Sequence, residues 1–243
     1  MTSSLIEQNA KANMLRGLGG WRALYLEFIK HMRPDSLVEI GSGDPAFLIE
    51  SMKHIKRATG IDANQNLKEL YSRANIDLEL IDFNQDQIPT LATKYDVAVC
   101  SDVFEHLLFP DRVLSFIETH INERGVLFSH VPNEYSLNKT LKVMLGLRQS
   151  VYFHKSSSEW DNPHLRRFTE KGYENFLKQA FSYNLKLTDL RYNRMTRMIS
   201  RLGLSIPYCL QGGPTYASTK DLSVYQSLKA IKEKLHRKRG ILG

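Results

Sequence analysis

Four acidic side chains, Glu39, Asp62, Asp82 and Asp102, each close a short apolar run, and the last three recur every twenty residues. A carboxylate accepts hydrogen bonds from a pair of hydroxyls and balances a cation, so a row of them suits a ligand that offers a diol or a positive charge. Directly after the last acid, DVFEHLL (102–108) places His106, whose imidazole titrates near neutrality and makes it a candidate general base. His130, closing a later apolar run, is a second candidate base. His164 and Arg167, in NPHLRRFTEK, are candidates to meet a substrate, Arg167 through an anionic group.

The runs that carry the acids are SLVEI (36–40), RATGID (57–62), LELID (78–82) and YDVAVCSD (95–102), and they alternate with stretches of helical pattern. Strand and helix in alternation build a parallel sheet, and in open sheets of that kind ligands bind beyond the carboxyl ends of the strands. GVLFSHV (125–131) reads as a fifth strand, LKLTDLRY (185–192) as a sixth and PTYAST (214–219) as a seventh. Helices are expected over 19–32, from Pro45 to about His54, and over 64–73, 110–122, 136–147, 170–181 and 221–239. Trp21, Leu24, Tyr25, Phe28 and Ile29 form the apolar stripe of the first, which assigns Trp21 to core packing. Residues 133–163 include the polar stretch YFHKSSSEWDNPH, and loops of such length often act as lids. The mixed segment 193–213 has no assigned element.

VEIGSGDPAFL (38–48) is a glycine-rich turn between strand and helix. Read as GxGxxA from Gly41 to Ala46, with Asp62 about twenty residues on, it matches a dinucleotide fingerprint and admits a nicotinamide-dependent oxidoreductase. Glu39, two residues before the first glycine, sets a carboxylate where a pyrophosphate would be repelled. With the EHL segment after the fourth strand and H-x-R-x-F-T from His164, the chain resembles the class I S-adenosylmethionine-dependent methyltransferases over residues 36–132 and 162–181. That resemblance implies an α/β, Rossmann-like, seven-stranded and mostly parallel sheet with helices on both faces, flanked by an N-terminal helix and a basic C-terminal helix. It implies S-adenosylmethionine as cofactor: Glu39, Gly41, Ser42 and Gly43 around the methionine portion, Asp62 and Ala63 at the ribose, Asp82 and Phe83 beside the adenine. Ser101 and Asp102 would face the transferring methyl, with Asp102 and His106 as catalytic residues. The group often serves polysaccharide and secondary-metabolite pathways, which points to oxygen methylation of a small molecule or glycan intermediate. Pro45 stands where many members carry a third glycine, so a catalytically silent binding subunit is a further reading. No metal is assigned to the site, although Asp102, Glu105, His106 and His164 resemble the acid-x-x-Glu-His and later histidine that hold a divalent ion in some quinone and RNA-terminal methyltransferases.

A chain of 243 residues, 42% of them hydrophobic, suffices for one domain. The expected organisation is a methyltransferase domain over 1–220, with its core at 36–192, and a basic helix over 221–243. The polar start MTSSLIEQNAKANML lacks the pattern of a secretory signal, and no apolar run is long enough to span a bilayer, so a cytoplasmic protein is expected. Two cysteines, Cys100 and Cys209, do not make a disulfide framework. Residues 1–130 carry 13 Lys/Arg against 18 Asp/Glu, whereas 131–243 carry 20 against 8. The basic half attracts anions, yet no aromatic-rich platform or RNA-binding motif accompanies it, so nucleic acid is not the expected partner. The tail KAIKEKLHRKR either lies weakly on anionic lipid or docks on the domain, and docking is the preferred reading.

Overall fold

The computed structural model describes residues 18–147, 164–191 and 194–238. Seven strands form one sheet in the order β3-β2-β1-β4-β5-β7-β6: β1 (Ser36–Ile40), β2 (Arg57–Asp62), β3 (Asp77–Leu80), β4 (Tyr95–Ser101), β5 (Ile121–His130), β6 (Tyr183–Lys186) and β7 (Thr215–Thr219). The first five pair in parallel, and β7 inserts antiparallel between β5 and β6. In register, Ile40 lies beside Ile61 and Cys100, Asp62 beside Leu80, and Ser101 beside His130, which aligns the carboxyl ends of the strands.

The period of two along each strand sorts the core into layers. Leu37, Val97, Val99, Val126 and Phe128 point to one face, where they meet α1 (Gly20–Met32), α2 (Ala46–Ser51), α3 (Lys68–Ala74) and, near the carboxyl terminus, α8 (Leu222–Lys238). Val38, Ala98, Cys100 and Leu127 point to the other, against α4 (Pro110–His120) and α6 (Glu170–Leu177). The remaining helices are α5 (Leu137–Met144) and α7 (Arg194–Arg201).

Local chemistry sets the boundaries. Helix α1 stops where Arg33 turns left-handed at φ 51 with its amide on the Ile29 carbonyl, ahead of Pro34. Pro110 opens α4 at a position that needs no amide. Thr169 caps α6 by accepting from the Gly172 amide, as its sequence suggests. Pro45 is buried at the start of α2, where its carbonyl receives the Ile49 amide, and its ring takes no part in the ligand cavity described below.

One expectation needs correction, one open stretch gains its elements, and the preferred docking of the tail helix is seen. The sixth strand ends at Lys186 rather than at 192, because after Leu187 donates to Thr215 the chain tightens into a 3-10 turn at Thr188–Arg191. The unassigned stretch 193–213 contains α7 and a further 3-10 turn at Tyr208–Leu210. The apolar stripe of the tail helix is spent on the domain: Leu228 and Leu235 are buried, Lys232 and His236 bind Asp189, and Lys238 reaches Glu27. No described helix is long and apolar enough to cross a membrane. Cys100 and Cys209 are free thiols. The stretches MTSSLIEQNAKANML and, apart from His164, YFHKSSSEWDNPH lie outside the described residues.

Candidate active site

The loop leaving β1 is built around two left-handed glycines. Gly41 has φ 62 and Gly43 φ 56, and a Cβ at Gly41 would collide with the Val103 side chain. The turn lets the Ser42 amide donate to the Ile61 carbonyl and the Gly43 amide to Asp62 Oδ2 at 2.9 Å. Asp62 Oδ1 accepts the Asn64 amide at 2.9 Å. Asp82 behaves alike, with Oδ1 taking the Asn84 amide and Oδ2 the Gln85 side-chain amide. Holding the backbone does not exhaust either carboxylate, which has about four lone-pair sites. Asp62, Asp82 and Asp102 border one cavity of about 540 Å³, with Ala63, Phe83 and His106 on its wall. That size is ordinary for a ligand pocket.

Beneath the loop, Glu39 is 2% exposed and its Oε2 has no hydrogen-bond partner. Burial raises its carboxyl to about 8, against the pull of Arg22, whose guanidinium lies 3.9 Å away. Arg22 also binds Asp44 at 3.2 Å. One residue earlier, the Trp21 indole donates to Asp102 Oδ2 at 2.9 Å while its ring packs against Tyr25 and Phe47. Trp21 therefore packs as expected and also fixes a site carboxylate. Helix α1 roofs this end of the site, and the sequence gives no sign of either polar contact.

Asp102 itself has φ 56, a left-handed conformation that a non-glycine residue adopts at a cost of about 1–3 kcal/mol. Its amide donates to the His130 carbonyl, and His130 Nε2 stands 3.6 Å from its Oδ1. Past the bend, Glu105 is 1% exposed with both carboxyl oxygens unpartnered, and burial lifts it to about 8. Its backbone carbonyl receives the Leu165 and Arg166 amides, which seat the late segment on the site. His106 and His164 meet edge to face at 4.7 Å, and one ligand atom from each of Glu105, His106 and His164 falls within 4.8 Å of the others. Glu134 Oε1 holds His164 Nδ1 at 3.1 Å and Lys139 at 2.7 Å, and the bond to His164 helps keep the Glu134 carboxyl down at about 2.

A family model described as methyltransferase domain matches residues 14–185. The chain belongs to that family. Among solved structures, a methyltransferase of Clostridium acetobutylicum is similar at TM-score 0.56 and 13% identity, over 82% of this chain and 90% of that one. The N-methyltransferase NodS of Bradyrhizobium japonicum, in complex with S-adenosyl-L-homocysteine, gives 0.51 and 13% over 82% and 86%. PKMT2 of Rickettsia typhi, in complex with AdoHcy, gives 0.51 and 12% over 79% and 50%. No curated protein sequence matches the chain.

The methyltransferase domain thus gathers Gly41, Asp62, Ala63, Asp82, Phe83, Asp102 and His106 on one cavity wall. Glu39, Ser42, Gly43 and Ser101 lie behind or beside that wall, Ser101 with a buried and unpartnered Oγ. His164 stands behind His106, and Arg167 is exposed and outside the wall. Arg22 and Glu134 were missed by the sequence reading, because each acts through contacts made only in the folded chain.

Proposed function

We propose that this methyltransferase domain moves the methyl group of S-adenosylmethionine to an oxygen of a small-molecule or glycan-type acceptor. The observation that carries this is a single cavity at the carboxyl edge bordered by Asp62, Asp82 and Asp102, with His106 beside them. Two proteins of the same fold, NodS and PKMT2, hold the demethylated form of that cofactor. The residues present fit the group: a diol finds the outer lone pairs of Asp62, an adenine amino group finds Asp82, and an ammonium finds Glu39. When bound, the cofactor supplies a methyl group on a positively charged sulfur. The acidic rim favours that cation over the neutral product, so it aids product release and leaves rate to alignment and proton removal. His106 takes the proton from the acceptor oxygen. A dinucleotide suits the site less well, since its fold is all parallel in the order 3-2-1-4-5-6 and the Glu39 carboxyl opposes a pyrophosphate. The test is transfer of labelled methyl to a panel of hydroxylated and amino acceptors, with Asp62→Ala as control.

Glu39 makes cofactor binding depend on pH. The free protein holds the proton below about 8, and a cation favours the ionised carboxylate, so binding expels the proton. Affinity is expected to climb by up to about tenfold per pH unit from 6 towards 8 and then to level. Calorimetry in buffers of different ionisation enthalpy reads the released proton. In Glu39→Gln the climb disappears, and an unchanged climb in that variant would assign the proton elsewhere.

The unpartnered oxygens of Glu105 favour a second reading of the His106 corner. A divalent cation held by Glu105, His106 and His164 would polarise the acceptor oxygen there. Under the base reading, dialysis against EDTA leaves the rate within about twofold of its starting value. A loss that magnesium or manganese restores would instead make His106 a ligand.

A further inference from the structure

We propose that α5 and the α7 region form a surface for anionic lipid, and that it docks the enzyme on a bilayer. None of the eight residues of α5 is buried. Leu137, Leu141, Val143 and Met144 on it, and Leu145 and Leu147 just beyond, are all exposed, Met144 by 77% and Leu147 by 74%. Met198, Leu202 and Leu204 of the second segment are 60%, 68% and 60% exposed. Large apolar side chains exposed in series mark an interaction surface, whereas isolated ones do not.

Charge selects the occupant. No Asp or Glu occurs between residues 135 and 147, where Lys142 stands on α5 beside Lys139, the partner of Glu134. None occurs between 190 and 219, a stretch whose sequence carries Arg191, Arg194, Arg197 and Arg201. In the sequence of α7 the arginines fall at spacings of three and four, and Met195, Met198 and Leu202 each follow one of them. Exposed apolar side chains in stretches whose sequence is basic and free of acids suit the acyl and headgroup layers of an anionic bilayer, whereas a protein interface has a core depleted of charge. The tail helix, the other basic amphipathic element, has its stripe in the core.

The two segments share an anchor. Asn133 donates to the Tyr208 and Gln211 carbonyls, and the Tyr135 and Tyr208 rings lie 6.5 Å apart. Glu134, between Asn133 and Tyr135, holds His164, whose ring lies against His106. This surface stands on exposure and charge alone and does not rest on the methyl-transfer reading.

The experiment is flotation of the full chain with vesicles of phosphatidylcholine alone and of phosphatidylcholine with roughly 30% phosphatidylglycerol. The chain is expected to float with the anionic vesicles only and to be released as salt rises. Two double variants, Leu141→Glu with Met144→Glu and Met198→Glu with Leu202→Glu, replace exposed side chains and so should fold. Each is expected to lower the bound fraction about tenfold. Thermal melting and S-adenosylmethionine calorimetry on the same samples read folding and the cofactor site separately. Failure of the full chain to float with either vesicle, or flotation of both double variants like the parent, overturns the proposal. So does a dimer, seen by light scattering, that the same substitutions dissolve while vesicles remain unbound.

Discussion

Gly41→Ala is expected to raise the dissociation constant for S-adenosylmethionine at least about a hundredfold, as measured by calorimetry, since an error of about 1 Å in a site costs that much. Two effects combine at this position. The left-handed φ of 62 costs an alanine about 1 kcal/mol, and its Cβ occupies the space of the Val103 side chain. Val103 follows Asp102 and precedes Phe104–His106, so the displaced side chain takes with it the bend that bears Asp102 and His106. Melting should fall by an amount equivalent to about 1–3 kcal/mol while the protein stays folded. Gly43→Ala is the companion: φ is 56, but a Cβ there meets nothing within 4 Å, so only the backbone cost applies. Equal affinity in Gly41→Ala and the parent would place the ligand away from this loop.

His106→Ala is expected to lower kcat by about 10²–10⁴ while cofactor affinity stays within about twofold. The imidazole lines the cavity beside Asp102, its Nε2 is 3.7 Å from the buried Glu105 carboxyl, and its ring lies against His164. A base removes a proton in the reaction and contributes nothing to cofactor binding, so the loss belongs in kcat. The pH dependence of kcat should lose its lower limb in the variant. A histidine that merely joins the bend to the late segment would behave otherwise. Melting and cofactor affinity would then drop together, and His106→Gln would recover both.

What the sequence displays is whatever repeats locally. β1 and β2 appear with their written bounds because short apolar runs between polar residues mark them, and the acids at strand ends mark the edge where they gather. Asp62 shows two roles at once, since backbone amides occupy part of each oxygen while the carboxylate still borders the cavity. Pro45 departs from the expected glycine, yet it is buried and does not line the cavity. The polar contacts that brace the site carry no such local mark. Trp21 reaches Asp102 across 81 positions and Glu134 reaches His164 across 30, and no spacing rule couples them. The sixth strand was overextended for a related reason: alternation runs on through LKLTDLRY, but the partner strand β7 begins at Thr215 and offers no ladder beyond it.

The anionic edge of this sheet is the place proposed for an adenosyl sulfonium. The most direct test is titration of the purified chain with S-adenosylmethionine and, separately, with NAD, each against Asp62→Ala. The first ligand is expected to bind at roughly micromolar strength, equivalent to about 8 kcal/mol, with most of that heat lost in Asp62→Ala and none seen with NAD. Saturation by NAD, or S-adenosylmethionine binding that Asp62→Ala leaves untouched, would contradict that placement.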